Sequence, residues 1–189
     1  MADLILVRPL RPVITYFAYG SNMLTERIKA RAIDANPLSI AHITGRRLTF
    51  HEIATRKNGS RTGKCDICID PDPKAVVYGV LFEIPESQFD DLNTFEKGYS
   101  LVDLVVHSPR LGAVTAVADL ADRTDAALIS YDWYRDLVLE GALQHAIPKP
   151  YIRDYIQSVR VEDTRGSTYR DAREAKALME RIRNARNAA

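Results

Sequence analysis

The sequence predicts an α+β protein: a small mixed or antiparallel β-barrel flanked by helices, with a C-terminal helical extension. Three observations carry this. Extended segments outnumber helical ones over the first 120 residues. Helical periodicity fills the rest. The segment Val76–Ile84 is apolar on both faces: Val76, Tyr78, Val80, Phe82 and Ile84 alternate with Val77, Gly79 and Leu81, as expected of a strand covered on two sides.

The first strand is Val13–Ala18, and a short helix follows from Met23 to Arg31. Asn36-Pro37 ends that region, and one long extended stretch runs from Ser39 to Ile53. The glycine-bearing loop 57–63 leads to a strand at Lys64–Ile69, and Asp70-Pro71-Asp72-Pro73 turns the chain into Val76–Ile84. Pro85 opens a helix, because its missing N–H is one that a helix start leaves unbonded anyway. Strands at Tyr99–His107 and Ala113–Leu120 flank a turn at Pro109–Gly112. Tyr131, Tyr134, Val138 and Ala142 recur at helical spacing within Ser130–His145. Pro148-Lys149-Pro150 interrupts, and Tyr151–Val159 is helical again. After Gly166, a charged helix carries Ala175, Leu178, Met179 and Ile182 on one stripe, which docks on its own domain or on a second copy in a homodimer. The expected organisation is a domain over 1–160 and a helical tail over 161–189.

Composition narrows the function. The 189 residues are 46% hydrophobic, and 26 Lys and Arg against 25 Asp and Glu leave a net charge of +1. A nucleic-acid surface needs a basic excess that this balance does not supply. No apolar run approaches the roughly 20 residues that span a bilayer. Residues 1–8 carry an early acid and lack the charged-then-apolar order of a signal peptide. With only two cysteines, the expectation is a cytoplasmic protein with free thiols and no membrane partner. Cys65 and Cys68 form a C-x-x-C, but no second ligand pair accompanies it. Its segment reads as a strand, in which residues three apart point to opposite faces, so it is neither a metal nor a redox site.

Two places hold candidate chemistry. Tyr16-Phe17-Ala18-Tyr19-Gly20-Ser21-Asn22-Met23 passes abruptly from strand to helix through residues that tolerate unusual dihedrals. Such a turn aims backbone N–H groups at one point, suited to a carboxylate or phosphate. The competing reading is that Ser21 or Asn22 simply caps the helix. The second place is Glu96. On a helix running from Glu86 to Glu96, Phe89 and Leu92 mark the inward face, and Glu96 lies on their stripe at the end whose dipole disfavours an anion. A carboxyl group held there is suited to moving a proton. Glu26, Glu83 and Glu86 occupy ordinary positions, and the four histidines read as structural.

Taken together, the opening signature Tyr16–Met23, the strand Val77-Tyr78-Gly79-Val80-Leu81-Phe82-Glu83-Ile84, the acid-then-tyrosine segment Leu92-Asn93-Thr94-Phe95-Glu96 to Tyr99, and the helix pair Tyr134–Ala142 and His145–Tyr151 resemble the γ-glutamylcyclotransferase family. The resemblance runs from about Ile14 to Val159. It implies release of 5-oxoproline from a small-molecule γ-glutamyl compound, with no metal or organic cofactor. It maps substrate binding onto Tyr19, Gly20, Ser21, Asn22 and Tyr99, and the catalytic acid/base onto Glu96. Two departures stand out. Only Lys97-Gly98 separates acid from tyrosine, and the strand Val114–Leu120 offers Ala116 and Ala118 where relatives often have a tyrosine, which implies a wider pocket. A non-catalytic carboxylate-binding or interaction module on the same fold is the alternative.

Overall fold

The computed structural model describes residues 12–56, 58–164 and 170–187. The N-terminal segment 1–8 and Gly166 lie outside them. Five strands close a barrel in the order β1 (Val13–Ala18), β5 (Val76–Pro85), β2 (Asn36–Thr44), β6 (Tyr99–Ser108), β7 (Gly112–Ala121). All pairings are antiparallel except the closing one, where β7 meets β1 in parallel at Tyr16 and Val117. The barrel is therefore mixed, as the sequence implies.

The long extended stretch is two strands rather than one. Gly45, at φ 69, breaks it, because a left-handed residue cannot continue a strand. β2 stays in the barrel, while β3 (Arg46–Thr55) leaves it to form a separate antiparallel ribbon with β4 (Arg61–Ile69). Cys65 and Cys68 both lie on β4, one buried and the other half-buried, as the strand reading expects.

The helices pack outside. A 3-10 turn (Ser21–Met23) precedes α1 (Thr25–Lys29), which is five residues long and shorter than the periodicity suggests. α2 (Glu86–Asn93) buries Phe89 and Leu92 against the barrel. A short parallel pair, β8 (Ser130–Tyr131) and β9 (Val161–Glu162), brackets α3 (Asp132–Gln144), α4 (Lys149–Tyr151) and a π-helical turn (Ile152–Gln157). The helical run breaks between Gln144 and Lys149, where Pro148 is the N-cap of α4, and the second helical stretch starts two residues earlier than expected. α5 (Arg170–Asn187) buries Ala172, Ala175, Met179 and Ile182 and lies against α3. The tail stripe is therefore covered by its own chain.

One glycine sets the distance between helix and turn. A Cβ on Gly141 of α3 would come within 2.6 Å of Leu24 N and 2.8 Å of Met23. Its absence lets α3 press directly on the 3-10 turn, which fixes the backbone at Gly20–Asn22 from behind. Leu24, Met23, Leu137, Val138 and Ala142 are all buried at this junction.

Candidate functional site

β1 ends at Ala18, and the chain turns inward over one rim of the barrel. Gly20 has φ −112, so the turn uses no left-handed residue there. The glycine serves close approach instead: a Cβ would stand 3.0 Å from Cys65 Cβ. Residues 21–23 open the helical region, and the first N–H groups of such a turn have no partner within it. Neither Ser21 nor Asn22 caps α1; Thr25 N donates to Gln144 Oε1 at 2.9 Å instead. Since α1 is so short, the helix contributes little dipole, and any anion docking rests on the opening amides.

The capping reading fails because Asn22 is used elsewhere. Its Nδ2 donates to Glu96 Oε1 at 3.0 Å and to Tyr16 Oη at 3.1 Å, and its Oδ1 accepts from Arg31 Nη1 at 2.9 Å. Ser21 Oγ accepts from Arg27 Nε at 3.2 Å. Burial, with Arg31 close by, lowers the Arg27 guanidinium to about 10.

Glu96 reaches the same place by an unexpected route. α2 ends at Asn93, so Glu96 is not on the helix. The last turn tightens to three-residue bonds: Phe95 N donates to Leu92 O at 3.0 Å and Glu96 N to Asn93 O at 3.1 Å. The chain then folds across the rim, and Gly98 at φ 91 delivers it into β6. Glu96 is 15% exposed and its Oε1 accepts from Asn22 and from Arg31 Nη1. Its surroundings are thus polar and charged, not the apolar stripe expected of a helical position. The Arg31 guanidinium also lies 4.9 Å from the Phe95 ring centroid.

The structure brings every expected site residue to one cavity: Tyr19, Gly20, Ser21, Asn22, Glu96 and Tyr99 all line it. Sequence reasoning missed four further lining residues, Tyr16, Cys65, Asp119 and Tyr134. The cavity is small; the centre of a water molecule reaches about 30 Å³ of it. The wider pocket expected from Ala116 and Ala118 is not present. Both alanines are buried, and Asp119 of β7 faces the cavity instead.

Hydrogen bonds tie each of the four tyrosines in place. Tyr16 Oη donates to Asp119 Oδ2 at 2.6 Å, and Tyr19 Oη donates to the Asp119 carbonyl. Tyr99 Oη donates to Cys65 O at 2.7 Å, while Cys65 N donates to Tyr134 Oη at 3.1 Å. Burial raises all four phenols and the Cys65 thiol well above their usual values, so they stay neutral and act as hydrogen-bonding walls. Asp119 is pushed up to about 7, first by burial and then by the negative charge of Glu96.

A further carboxyl group supports the rim from beneath. Glu52 on β3 is 1% exposed, and its Oε2 has no hydrogen-bond partner. Burial raises it to about 7; Lys64 opposes the shift, and Glu96, Asp66 and Asp122 reinforce it. Its Oε1 occupies the place of the missing Gly98 side chain: a Cβ there would lie 2.6 Å away. Strand alternation does not mark it in the sequence: the register of β3 with β4 shifts between Thr49 and Glu52, so Glu52 falls on the face of Thr49 and not on that of the core residue Leu48.

Residues 76–155 match the model of the AIG2-like family. A γ-glutamylcyclotransferase of Homo sapiens is 27% identical over 156 residues, covering 80% of this chain and 81% of that protein, and its Mus musculus counterpart is equally similar over 155 residues. A solved γ-glutamyl cyclotransferase superposes with a TM-score of 0.75 at 21% identity, covering 88% of this chain and 99% of that one. A crystal structure of a Homo sapiens protein gives the same TM-score at 23% identity over 86% of this chain and 96% of that one. Among the described residues, no helix is long and apolar enough to cross a membrane. Over most of its length the chain is thus similar in sequence to two γ-glutamylcyclotransferases and in fold to a solved one.

Proposed function

We propose that the protein is a cyclotransferase that releases 5-oxoproline from a γ-glutamyl compound, with Glu96 as acid/base. One observation carries this reading: the turn Gly20–Asn22 and the Glu96 carboxyl open into one cavity, although they lie 74 positions apart in the chain. The names of the curated relatives support it.

The substrate's own α-amine attacks its γ-carbonyl and closes a five-membered ring. The nucleophile is tethered, so the main task is to fold the glutamyl chain and hold it there. The opening amides of the 3-10 turn grip the α-carboxylate, and the walls formed by Tyr19 and Tyr99 limit the conformations of the chain. Glu96 Oε1 is occupied by Asn22 and Arg31. Its Oε2 is therefore the oxygen that takes the amine proton and returns it to the departing amine. N–H donors of the turn stabilise the oxygen on which charge develops.

We assign the chemistry to residues 1–160 and treat 161–189 as a tail, because every cavity-lining residue precedes Arg135. The two unpaired thiols fit a reducing compartment, and the cytoplasm is the proposed location. The test is a panel of γ-glutamyl peptides and γ-glutamyl amines assayed for 5-oxoproline, with Glu96→Gln alongside. The expected result is turnover by the native protein and loss of about 10²-fold or more in the variant. A panel that binds without ring closure would assign the protein to the carboxylate-binding module instead.

A further inference from the structure

Asp119 is a buried carboxyl group at the cavity wall. Its side chain lines the cavity and is 6% exposed. Tyr16 Oη supplies a hydrogen bond to Oδ2, while Oδ1 accepts none from any described residue. No Lys, Arg or His among the described residues forms an ion pair with it; Arg31, whose charge acts on it, is committed to Glu96 and Asn22. A carboxylate withdrawn from water without a counter-charge is costly, and a ligand that brings the missing charge recovers that cost on binding.

The geometry constrains the ligand. Tyr16 joins Asp119 to Asn22, and Asn22 joins both to Glu96 and to the turn. The anion-seeking amides and the unpaired anion are thus neighbours across one tyrosine hydroxyl. A group that satisfies both must carry a carboxylate and an ammonium close together, and an α-amino acid head does so on a single carbon. We propose that Asp119 is the binding residue for the α-ammonium of the substrate, paired with carboxylate capture at Gly20–Asn22, so that the site selects ligands with a free α-amino acid end. This rests on the cyclotransferase reading and adds to it the feature by which substrates are chosen. Glu96 remains the group that moves the proton; Asp119 holds the ammonium in place until that proton leaves.

The groups facing Asp119 are Tyr16 and Tyr19 from the end of β1, Glu96 from the segment after α2, and Arg31 from the segment after α1. Burial and Glu96 raise the Asp119 carboxyl to about 7, whereas Tyr16 and Arg31 pull it down. Only the ionised carboxyl pairs with ammonium, so binding through it weakens as pH falls below about 7.

Calorimetric titration of the full chain with L-glutamate and with glutarate tests this, since the two differ only in the α-ammonium. The native protein should bind glutamate more tightly than glutarate by about tenfold or more. Asp119→Asn keeps the acceptor for Tyr16 and should abolish that preference while leaving glutarate affinity within about twofold. Between pH 6 and 8.5 the glutamate-to-glutarate ratio should rise with pH in the native protein and stay flat in the variant. The proposal is overturned if Asp119→Asn retains the preference, or if it weakens both ligands equally, as a purely structural residue would. Either result leaves the cyclotransferase reading standing when the Asn variant still forms 5-oxoproline. If the native protein binds neither ligand, the proposal falls, and the 5-oxoproline assay alone decides the cyclotransferase reading.

Discussion

Asn22 Nδ2 donates to Glu96 Oε1 at 3.0 Å, and through that bond the turn after β1 is fastened to the segment after α2. The same amide also contacts Tyr16 and Arg31, so one side chain sets the spacing between anion-binding backbone and carboxyl group. Asn22→Ala should leave the barrel folded and lower kcat by about 10- to 100-fold, because a displacement of about 1 Å at a reacting group is costly. Steady-state kinetics beside a circular dichroism spectrum checks this. Unchanged kcat would remove Asn22 from the positioning set.

Arg31 is the cation paired with Glu96, at 14% exposure against 15% for Glu96. Arg31→Met keeps much of the apolar stem and the Phe95 contact but leaves Glu96 without its charge partner. Removing one member of a half-buried pair should cost about 1–3 kcal/mol, read by urea denaturation at pH 7. Glu96→Gln in the same background should recover part of that loss, since the orphaned charge is then gone.

Gly98 cannot be replaced quietly. Its φ of 91 disfavours any side chain, and a Cβ would meet Glu52 Oε1 at 2.6 Å. Gly98→Ala should destabilise by about 1–2 kcal/mol from the backbone alone and more from the collision. Shifting the rim also displaces Glu96, so turnover should fall together with the melting temperature. Pairing it with Glu52→Ala should relieve the collision but not the dihedral strain.

Stability should depend on pH through Glu52 and Asp119. Each carboxyl is raised in the folded state to about 7, above its unfolded value of 4.5 or 3.8. The folded protein therefore holds protons that the unfolded chain has released. Stability from these groups is greatest below the unfolded values and declines as pH rises through about 7. Glu52→Gln removes one contribution and should stabilise at pH 8 by an amount on the order of 1–2 kcal/mol, discounted for water near the rim, while changing little at pH 4.5. Thermal melts of both proteins across that range check the sign.

Ending the chain at Thr164 removes α5 and uncovers the face of α3 that Ala172, Ala175, Met179 and Ile182 bury. If 1–160 carries the chemistry, the truncated protein should still turn over substrate but melt at a lower temperature. Loss of activity in a folded truncation would move the boundary.

Four of the barrel strands were readable in the sequence from apolar alternation and turn residues, and the predicted β1 coincides with the observed Val13–Ala18; β2 was not told apart from β3, because only the left-handed Gly45 divides them. The site was readable where the chain is contiguous, at Tyr19–Asn22 and at the acid–tyrosine segment. Glu96 was found with the wrong geometry: a helical wheel placed it on a stripe, but the helix stops at Asn93, and a loop brings the carboxyl inward. Arg31 and Asp119 left no local trace, and Tyr134 was read only as part of a helical stripe and of the resemblance, not as a site residue. An arginine after a helix, an aspartate on a strand and a tyrosine on a helix are each ordinary, and only barrel closure turns them toward one point. Glu52 was not legible, because the register shift between Thr49 and Glu52 breaks the strand alternation and its place under the rim loop depends on tertiary structure.

β7 closes the barrel alongside β1 in the same direction. The exit of β1, the exit of β7 and the entry to β6 therefore share one end, and the exposed hairpin at Pro109–Leu111 hangs from the other. A fluorophore or affinity handle grafted onto that hairpin would sit a barrel's length from bound ligand. The protein could then be immobilised or labelled there for binding measurements without obstructing the mouth.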